Sequence, residues 1–285
     1  MTILGIGQSV FDVYLPLVKP FSKNGKQRIY NSIRCAGGPV TNAMILCGRW
    51  NADASIITRI GKDAIGNEIL RLLEDNHIHT QSMIIDPTVQ TSMSCILVDT
   101  KTGDRSILNM PLEIEEGPAD VHWPDTADVI LFDGHEIRIS MDALDRYPAS
   151  IKIFDGDKYK PKTIDLIRQC DYLVCSKEFA QEYTQHQYNK DTYAELQQLN
   201  RNVILTLGDQ GCIYNGVSFS AYPAHSIDTT GAGDIFHGAF AYGLDQQWDI
   251  ETIIKTASYA AARSTEKMGG MTSIPSLDEI YKGDF

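Results

Sequence analysis

The sequence predicts an α/β protein whose sheet is largely parallel. Short apolar runs alternate along the chain with amphipathic stretches of helical length, a pattern typical of repeated βαβ units. The chain has 285 residues, of which 43% are hydrophobic, so it is long enough to bury a substantial core. No internal repeat and no linker rich in Gly, Ser and Pro interrupts the pattern. We therefore expect one domain over residues 1–285.

Short apolar runs bounded by turn residues predict the strands of this sheet. They are Ile3–Gly7, Ala54–Ile60, Val129–Phe132, Ile151–Phe154, Tyr172–Cys175 and Val203–Leu207. Apolar residues at helical spacing predict the helices. They are Val40–Trp50, Ala64–Asn76, Met141–Tyr147, Pro161–Gln169, Glu178–Thr184, Thr192–Asn200, Gly233–Asp245 and Ile250–Lys267. Pro39 and Pro161 suit helix starts, where a missing N–H costs little.

Two segments, about 11–34 and 88–112, break the alternation of strands and helices. They alternate apolar and polar residues instead, as in residues 91–98 (TSMSCILV) and 105–109 (RSILN). Such a period of two is typical of strands with one covered face. We therefore predict that both segments form strands outside the main sheet.

Composition excludes several classes of partner. The formal net charge of −12 argues against nucleic acid and anionic membranes, which bind to basic surfaces. No apolar run is long enough to span a bilayer, and the first residues lack the basic start of a signal peptide. The six cysteines include no C-x-x-C pair, which favours buried free thiols in a reducing compartment. A cytoplasmic protein is expected.

The most informative segment is residues 228–240, which read DTTGAGDIFHGAF. Glycines let backbone N–H groups surround an anion, and a helix that begins there adds its positive dipole end. Because a carboxylate repels phosphate, Asp234 is out of place in a site that only binds anions. It has a role if it accepts a proton from a hydroxyl that attacks phosphorus. An isolated GxG is more often a plain turn, but this longer pattern predicts a kinase.

Two other nucleotide motifs are absent from the sequence. Gly25-Lys26 is followed by Gln27 and has no earlier glycine at the required spacing, which excludes a Walker-type phosphate loop. Gly5-x-Gly7 has Val10 in place of the third glycine of a dinucleotide fingerprint, which argues against a dehydrogenase.

Residues 228–236 closely resemble the C-terminal motif of the ribokinase-like (PfkB) carbohydrate kinases. The resemblance implies a three-layer αβα, Rossmann-like ribokinase fold with a mostly parallel central sheet and a small β-sheet lid. The lid strands would come from the segments 11–34 and 88–112 and often carry a homodimer contact in this family. Asp234 would be the catalytic base, and the amides of Gly231, Ala232 and Gly233 would form the anion hole. ATP and Mg²⁺ are the implied cofactors, and the use of a monovalent cation such as K⁺ stays open.

Further matches to the family supply candidate substrate-binding residues. Gly37, Gly38 and Asn42 match its Gly-Gly-x-x-x-Asn element, although Pro39 departs from the usual residue, and Asp12 matches its sugar-binding aspartate. The glycines also suit a plain turn, and Asp12 also suits a solvated loop. Other candidates are Arg105 for phosphate charge, Asn109 for a sugar hydroxyl and His135 for the far end of the substrate. The alternatives are solvation for Arg105, and helix capping or solvation for His135.

Candidate nucleotide-binding residues follow from the same resemblance. Thr206, Gly208 and Gly211 match the Thr-x-Gly-x-x-Gly turn near the ATP phosphates, and Thr230 belongs to the glycine-rich motif. Residues 261–263 (AAR) and 269–275 (GGMTSIP) resemble elements that flank the adenine and a monovalent-cation site. All of these small residues also suit ordinary turns.

One departure from the family concerns magnesium. Ser176 and Phe179 replace the Asn and Glu of the Asn-x-x-Glu element that organises magnesium through water. The run 176–180 (SKEFA), together with 155–157 (DGD) and Gly-Gly-Pro, is similar to the ketohexokinase and sulfofructose kinase-like branch. Ser176 is then a nucleotide-side candidate, and Glu178 and Asp155 are the candidates for ordering magnesium through water.

The sequence therefore predicts ATP-dependent phosphorylation of a hydroxymethyl group of a sugar or sugar derivative, with a ketose-like form favoured. A nucleoside kinase on the same fold is the first alternative, although the lid segments offer few aromatic residues for stacking: Phe11, Tyr14, Phe21 and Tyr30. A catalytically silent sugar-binding regulator is the second alternative, and the intact Gly-Ala-Gly-Asp argues against it.

Overall fold

A large twisted sheet forms the centre of the molecule, and a smaller sheet lies apart from it. The computed structural model describes residues 1–19, 21, 24–100, 105–112 and 120–283. The strands of these ranges are β1 (Thr2–Ile6), β2 (Val10–Leu17), β3 (Ile33–Gly37), β4 (Asp53–Ile57), β5 (Arg59–Gly61), β6 (Ile78–His79), β7 (Ile84–Asp86), β8 (Met93–Asp99), β9 (Arg105–Met110), β10 (Val129–Phe132), β11 (Ile151–Gly156), β12 (Tyr172–Ser176), β13 (Val203–Thr206), β14 (Cys212–Tyr214) and β15 (Val217–Phe219).

The helices of the same ranges connect most of the large-sheet strands. They are α1 (Pro39–Arg49), α2 (Ala64–Asp75), α3 (Ile137–Arg146), α4 (Ile164–Ile167), α5 (Lys177–Thr184), α6 (Thr192–Leu199), α7 (Ala232–Asp245), α8 (Ile250–Ser264), α9 (Gly270–Ser273) and α10 (Leu277–Tyr281). Short 3₁₀ turns cover Pro161–Thr163 and Gly208–Gln210. None of the helices in the described ranges combines the length and apolarity that crossing a membrane requires.

The strand order of the large sheet locates the region where ligands bind. The order is β15-β14-β13-β12-β11-β10-β1-β4-β6, and β14 and β15 form an antiparallel hairpin beside otherwise parallel strands. From β1 the chain moves through β4 and β6 towards one edge, and then through β10 to β13 towards the other. Open α/β sheets bind ligands at the carboxyl ends of the strands, next to such a reversal. The carboxyl ends of β1, β10 and β11 are therefore the place to look for a site.

Helices cover both faces of the large sheet, because its strands are apolar on both sides. Along β10, Val129 and Leu131 belong to one buried cluster, whereas Ile130 and Phe132 belong to the other. The first cluster includes residues of α1, α7 and α8, and the second includes residues of α3, α4, α5 and α6. This confirms the predicted three-layer α/β fold. The six cysteines are free, and all except the half-buried Cys95 are buried, as the sequence predicts.

The smaller sheet has the strand order β3-β2-β8-β9, and we call it the small sheet. Strands β2 and β8 are parallel, and the two outer pairs are antiparallel. The even alternation of buried and half-buried residues along β8 agrees with the predicted period of two, whereas every residue of the outer strand β9 is exposed. Residues 20, 22, 23 and 101–104 of the predicted lid segments lie outside the described residues.

The predicted strand Ala54–Ile60 is two strands in the structure. Pairing of β4 with β1 ends at Ile57, and β5 pairs with β7 in a separate ladder. The buried Thr58 lies between them, and its carbonyl oxygen accepts the Ile84 amide at 2.9 Å. A continuous apolar run does not reveal where the pairing partner changes, so the prediction merged both strands.

Several predicted helix boundaries are also wrong. The predicted helix Pro161–Gln169 is a 3₁₀ turn followed by the single turn α4. Helix α3 begins at Ile137, four residues before the predicted Met141, after Glu136 in a left-handed conformation with φ 46° and no side-chain cap. Without a capping residue, the sequence carries no start signal there. The short elements β6, β7, β14, β15, α9 and α10 were not predicted either.

Candidate active site

The glycine-rich motif forms the start of α7, as the pattern of residues 228–240 predicts. Gly231 precedes the helix with φ 78°, a left-handed conformation that favours glycine, and no side chain caps the helix. The first-turn amides of a helix have no partner four residues earlier, so they can bind an anion. The Ala232 amide also donates to the Thr229 carbonyl oxygen at 3.3 Å. Gly233 is exposed, and Gly231 and Ala232 are half-buried. The loop therefore presents backbone donors beside Asp234, in the first turn of the same helix.

Asp234 is half-buried, and its carboxylate accepts a hydrogen bond from Asn42 Nδ2 to Oδ2 at 2.7 Å. Within the described residues it forms no ion pair. Burial raises the pKa of the Asp234 carboxyl; the Asn42 bond and His237 act against the rise, and the charges of Asp157 and Asp133 add to it. A raised pKa makes a carboxylate a better proton acceptor near neutral pH. The geometry suits a general base.

Asn42 has a contact that the sequence did not predict. The resemblance implies that Asn42 bonds a sugar hydroxyl, and in the structure its amide nitrogen donates to Asp234. Its Oδ1 is buried and has no hydrogen-bond partner in the described part of the chain. Asn42 lies in α1 and Asp234 in α7, and these two helices pack against each other in the core. Asn42 therefore holds the carboxylate in place.

Asp12 lies on the small sheet, with its carboxylate directly above Gly37 of the neighbouring strand β3. A Cβ atom on Gly37 would come within 2.0 Å of Asp12 Oδ2, so only glycine leaves room there. Burial raises the pKa of the Asp12 carboxyl to about 6; a hydrogen bond from Ser94 lowers it, and the charge of Asp234 raises it. The charge of Asp234 thus acts on Asp12. Gly38 is needed as well, with φ 101° and the Gln8 carbonyl oxygen 2.4 Å from a Cβ position.

The register of the small sheet aligns three polar residues. Asp12 is paired with Ser94 across β2 and β8, and Ser94 is paired with Asn109 across β8 and β9. Asn109 Nδ2 donates to Ser94 Oγ at 3.1 Å. The sequence suggested Asp12 and Asn109 but missed Ser94, because its position between them depends on strand register. The row Asp12–Ser94–Asn109 supplies donors and acceptors suited to hydroxyl groups.

Arg105 reaches from β9 to the glycine-rich loop and is not simply solvated. Its Nη1 lies 3.1 Å from Asp228 Oδ1, 2.7 Å from Thr230 Oγ1 and 3.3 Å from Thr229 Oγ1. The Thr230 hydroxyl in turn donates to Asp228 Oδ1 at 2.6 Å. Arg105 and Thr230 therefore both contact the carboxylate of Asp228. The sequence predicted a phosphate contact for Arg105 and a nucleotide contact for Thr230, but it gave Asp228 no role.

His135 lies at the carboxyl end of β10, where the sequence predicts a substrate contact. Its Nδ1 and main-chain N lie 3.0 and 2.9 Å from Asp133 Oδ1, and Lys160 Nζ lies 3.1 Å from its Nε2. A cavity of about 170 Å³ adjoins it, lined by Gly7, Gln8, Ser9, Arg59, Leu112, His135, Glu136 and Lys162. Asp133 also accepts the Gln8 amide at 2.8 Å. These bonds hold the imidazole at the wall of the cavity.

A second cavity, of about 610 Å³, lies beside the start of α7. It is lined by Thr206, Gly208, Asp209, Gly211, Ala221, Tyr222, Pro223, Ala224, Ser226, Thr229, Ala232, Gly233, Phe236, Ser258, Ala261, Ala262 and Thr265. Three of the predicted nucleotide-side residues, Thr206, Gly208 and Gly211, are in this wall, and so are Ala232 and Gly233. Gly208 and Gly211 have φ 61° and 87°. A cavity of this size, with small residues next to the start of a helix, suits a nucleotide.

Ser176 is not in the wall of the larger cavity. Its hydroxyl accepts the Phe179 amide at 3.0 Å as the N-cap of α5 and donates to the Asp157 carbonyl oxygen at 2.8 Å. The Ser-Lys-acidic run that replaces Asn-x-x-Glu is therefore a helix cap in this chain. Capping occupies the groups with which Ser176 would bind a nucleotide.

The two magnesium candidates have different surroundings. Glu178 has a side chain that is 60% exposed, and its Oε1 lies 3.9 Å from Lys158 Nζ.

Asp155 is buried at the end of β11, with its Oδ2 3.3 Å from His237 Nδ1. Because that ring nitrogen lies only 2.6 Å from the Gly233 carbonyl oxygen, the carbonyl takes the hydrogen bond. By hydrogen-bond geometry, neither Asp155 oxygen has a partner in the described residues. Burial raises the pKa of this carboxyl and the charge of Asp234 adds to the rise, whereas the nearby Asp157 amide acts against it.

Comparison with known proteins identifies relatives that match most of the chain. The curated ribokinase of Lactococcus lactis is 27% identical over 258 residues, which cover 86% of this chain and 84% of that protein. The crystal structure of ribokinase from Thermotoga maritima has a TM-score of 0.85 and 23% identity, and covers 98% of each chain. The structure of Arabidopsis thaliana ribokinase complexed with ribose and ATP has a TM-score of 0.83 and 20% identity, and covers 98% of this chain and 97% of that one.

The two solved structures share the overall fold of this chain. The family evidence extends over nearly the whole chain, because the profile of the pfkB family carbohydrate kinases matches residues 3–277. That range contains the small sheet, Asp12, the larger cavity and the glycine-rich start of α7. This chain is therefore a member of the pfkB family of carbohydrate kinases.

Proposed function

We propose that this sugar kinase transfers a phosphoryl group from ATP to a hydroxymethyl group of a sugar or sugar derivative in a ketose-like form, with Asp234 as the general base. The observation that carries the proposal is the position of Asp234. Asp234 directly follows Gly233 of the wall of the 610 Å³ cavity, its carboxylate is bonded to Asn42, and its charge acts on Asp12 of the small sheet. An acceptor hydroxyl on one side and a phosphoryl donor on the other would meet at this carboxylate.

The small sheet would act as the lid over the sugar. The Asp12 carboxylate can accept from two hydroxyl groups, and the absent side chain of Gly37 leaves it room to do so. Asn109 and Ser94 extend the same polar row. Closing the sheet over the acceptor would exclude water that would otherwise hydrolyse ATP.

In the transfer step, Asp234 would take the proton of the acceptor hydroxyl while its oxygen attacks the terminal phosphorus of ATP. Asn42 holds the carboxylate in place by its bond to Oδ2, which leaves Oδ1 for the proton. The amides of Gly231, Ala232 and Gly233 would stabilise negative charge on the transferred group, because they are preorganised donors at the start of a helix. Placing both reactants in one closed site lowers the entropic cost of their meeting.

Magnesium ions neutralise phosphate charge in phosphoryl transfer. The described residues contain no group of three His, Cys, Asp or Glu side chains close enough to hold a metal ion. Mg²⁺ in kinases is commonly bound by one or two carboxylates together with phosphates and water. Asp155 fits such a role through water, because its buried oxygens lack hydrogen-bond partners. Glu178 fits less well, because it is exposed and lies near Lys158.

The far end of the acceptor would lie in the 170 Å³ cavity beside His135. The imidazole is fixed by Asp133 and Lys160, so it offers a rigid wall. Similarity of residues 155–157 and 176–180 to the ketohexokinase and sulfofructose kinase-like branch favours a ketose. A nucleoside acceptor would need aromatic residues of the lid segments for stacking. Two of the four aromatic residues named above, Phe11 and Tyr14, are buried in the core. This argues against a nucleoside.

A panel of acceptors tests the proposal. Formation of ADP from ATP would be measured with ketohexoses such as fructose, with acidic ketose derivatives, with ribose and with adenosine. The phosphorylated product would be identified by mass spectrometry and its phosphate position by phosphorus NMR. We expect turnover with a ketose or ketose derivative. Preferential turnover of adenosine would favour the nucleoside kinase, and binding without turnover of any acceptor would favour the silent regulator.

The pH dependence of kcat/KM for the sugar provides a further prediction. Burial raises the pKa of Asp12 to about 6, and a protonated carboxyl loses the charge that strengthens its bonds to hydroxyl groups. We therefore expect kcat/KM to fall as the pH is lowered through about 6 and to be level above it. At saturating sugar, bonds to the ionised form favour ionisation, so kcat should fall at a lower pH. A kcat/KM profile that stays level well below pH 6 would contradict this assignment.

The lid also predicts a homodimer. Exposed apolar side chains are concentrated on the small sheet and its loop, and include Val18, Phe21, Tyr30, Ile107 and Leu108. Exposed apolar patches mark interaction surfaces, and β9 pairs only with β8 within the described residues, so its other edge is open. We expect a dimer by analytical ultracentrifugation, and we expect Leu108→Lys to shift it to monomer. Val217→Lys, which changes a similarly exposed residue of β15, is the control. A monomeric wild-type protein would refute the prediction.

A further inference from the structure

Arg105 connects the two parts of the site that have to come together. It begins β9, the outer strand of the small sheet, and its guanidinium contacts residues 228–230 of the glycine-rich loop. These residues are more than 120 positions away in sequence, and Thr229 is part of the wall of the larger cavity. One side chain thus joins the sheet that would cover the sugar to the loop that would hold the nucleotide phosphates.

Asp228 is the acceptor through which this contact acts. Its side chain is only 5% exposed, whereas that of Arg105 is 37% exposed. Asp228 Oδ1 accepts the Thr230 amide at 2.9 Å, and Asp228 Oδ2 accepts the Gly269 amide at 2.9 Å. One carboxylate therefore shapes the loop before α7 and ties it to the turn before α9.

Charge explains why an arginine in this place affects the loop. Within the described ranges, Arg105 is the one cation that contacts the buried Asp228 carboxylate. If the small sheet moved away, Asp228 would keep only neutral donors, and a buried charge without its counter-ion is unfavourable. The closed sheet and the ordered loop thus stabilise each other.

We propose that Arg105 is a positioning residue that couples closure of the small sheet to the order of the nucleotide loop, so that nucleotide and sugar promote each other's binding. The ligands named here rest on the proposed function, whereas the contact itself does not. Coupling between two sites is reciprocal: if nucleotide favours closure, sugar tightens nucleotide binding by the same factor. Arg105 would then act through Asp228 and Thr230, and not by direct contact with a phosphate.

Hydrogen exchange of the protein without ligand tests the contact. The proteins are wild type, Arg105→Ala, Arg105→Lys and Arg71→Ala, the last removing an exposed arginine of α2 that is paired with Glu68 and Asp75. We expect amides of β9 and of residues 229–231 to exchange about tenfold faster in Arg105→Ala, because a charged hydrogen bond is lost. Arg105→Lys should recover part of the protection, and Arg71→Ala should match wild type. Equal exchange in wild type and Arg105→Ala would overturn the inference.

A second measurement uses ADP with Mg²⁺ as the probe. In wild type we expect ADP to slow exchange in β9, on the other side of the Arg105 contact, and in Arg105→Ala we expect this protection of β9 to disappear. With the acceptor that the panel identifies, Arg105→Ala should also release more ADP per molecule of product than wild type does. The reason is that water can reach ATP when the small sheet is no longer held closed. Protection of β9 by ADP in Arg105→Ala equal to that in wild type would overturn the coupling.

A double-mutant cycle separates positioning from direct phosphate contact. If Arg105 acts through Asp228, the effects of Arg105→Ala and Asp228→Asn on the sugar KM should not add. Additive effects on the sugar KM would overturn the inference, and so would a raised KM for ATP with an unchanged sugar KM in Arg105→Ala, which would favour direct contact with a phosphate. If ADP does not bind wild-type protein at all, the proposed function fails, and the exchange data without ligand still decide whether the contact exists.

Discussion

Replacing Asp234 by Asn is expected to lower kcat at least about a hundredfold, which is the low edge of the range for losing a general base. Asparagine has nearly the same shape and keeps an oxygen that can accept the hydrogen bond from Asn42. It cannot accept a proton at neutral pH, so the acceptor hydroxyl would have to attack phosphorus unassisted. The KM values should change little, because the substrate contacts of the small sheet and of the larger cavity remain.

The fold of this variant should be intact. Burial and the charges of Asp157 and Asp133 disfavour the ionised Asp234, so a neutral amide removes repulsion and the melting temperature should not fall. Asp245→Asn is a matched control, because Asp245 is a buried carboxyl at the other end of α7, and burial raises its pKa as well. It should retain kcat. Turnover near the wild-type value in Asp234→Asn would refute the role of Asp234 as the base.

Much of the fold follows from local pattern. The strands β1, β10, β11, β12 and β13 and the long helices around them were predicted within a few residues, since buried parallel strands and amphipathic helices each have a distinct periodicity. The break between β4 and β5 at Thr58 and the uncapped start of α3 were not predicted. Both depend on contacts with distant parts of the chain: Thr58 with Ile84, and the segment before α3 with Arg59, which is bonded to Glu136.

In the candidate site, too, features with a local cause were predictable and contacts between distant residues were not. The start of α7 was predictable, because glycines and an aspartate at this spacing have a local physical reason. The bonds between Asn42 and Asp234, and between Arg105 and Asp228, join residues 192 and 123 positions apart. Nothing in either local sequence indicates such a partner. Long-range packing therefore gives Asn42 and Arg105 protein partners that their local sequence does not indicate.

The site also concentrates negative charge, which a list of motifs does not convey. The charges of Asp133 and Asp157 act on Asp234, and the charge of Asp234 acts on Asp12 and Asp155. Each carboxylate therefore makes ionisation of its neighbours harder. An incoming anionic nucleotide would be repelled unless helix amides and a cation compensate. This explains why the exposed amides of α7 and a bound Mg²⁺ would matter more here than in a neutral pocket.

Asp12→Asn is expected to raise the KM for the sugar by about 10- to 150-fold, with a smaller effect on kcat and none on the KM for ATP. The size corresponds to the loss of about 1.5–3 kcal/mol, typical of a hydrogen bond to a charged group. The decline in kcat/KM near pH 6 should move or disappear in this variant if Asp12 is its cause. Asp99→Asn is the control, because Asp99 lies at the far end of the same β2–β8 ladder.

Gly37→Ala tests the same carboxylate without changing its charge. The added methyl group would lie 2.0 Å from Asp12 Oδ2, so the carboxylate has to move. The variant should therefore reproduce the increase in the sugar KM while the decline near pH 6 persists, because the titrating group is still present. A normal sugar KM in both variants would show that Asp12 does not bind the acceptor. A raised KM in Gly37→Ala alone would assign the effect to the backbone of β3 and leave Asp12 without a role in sugar binding.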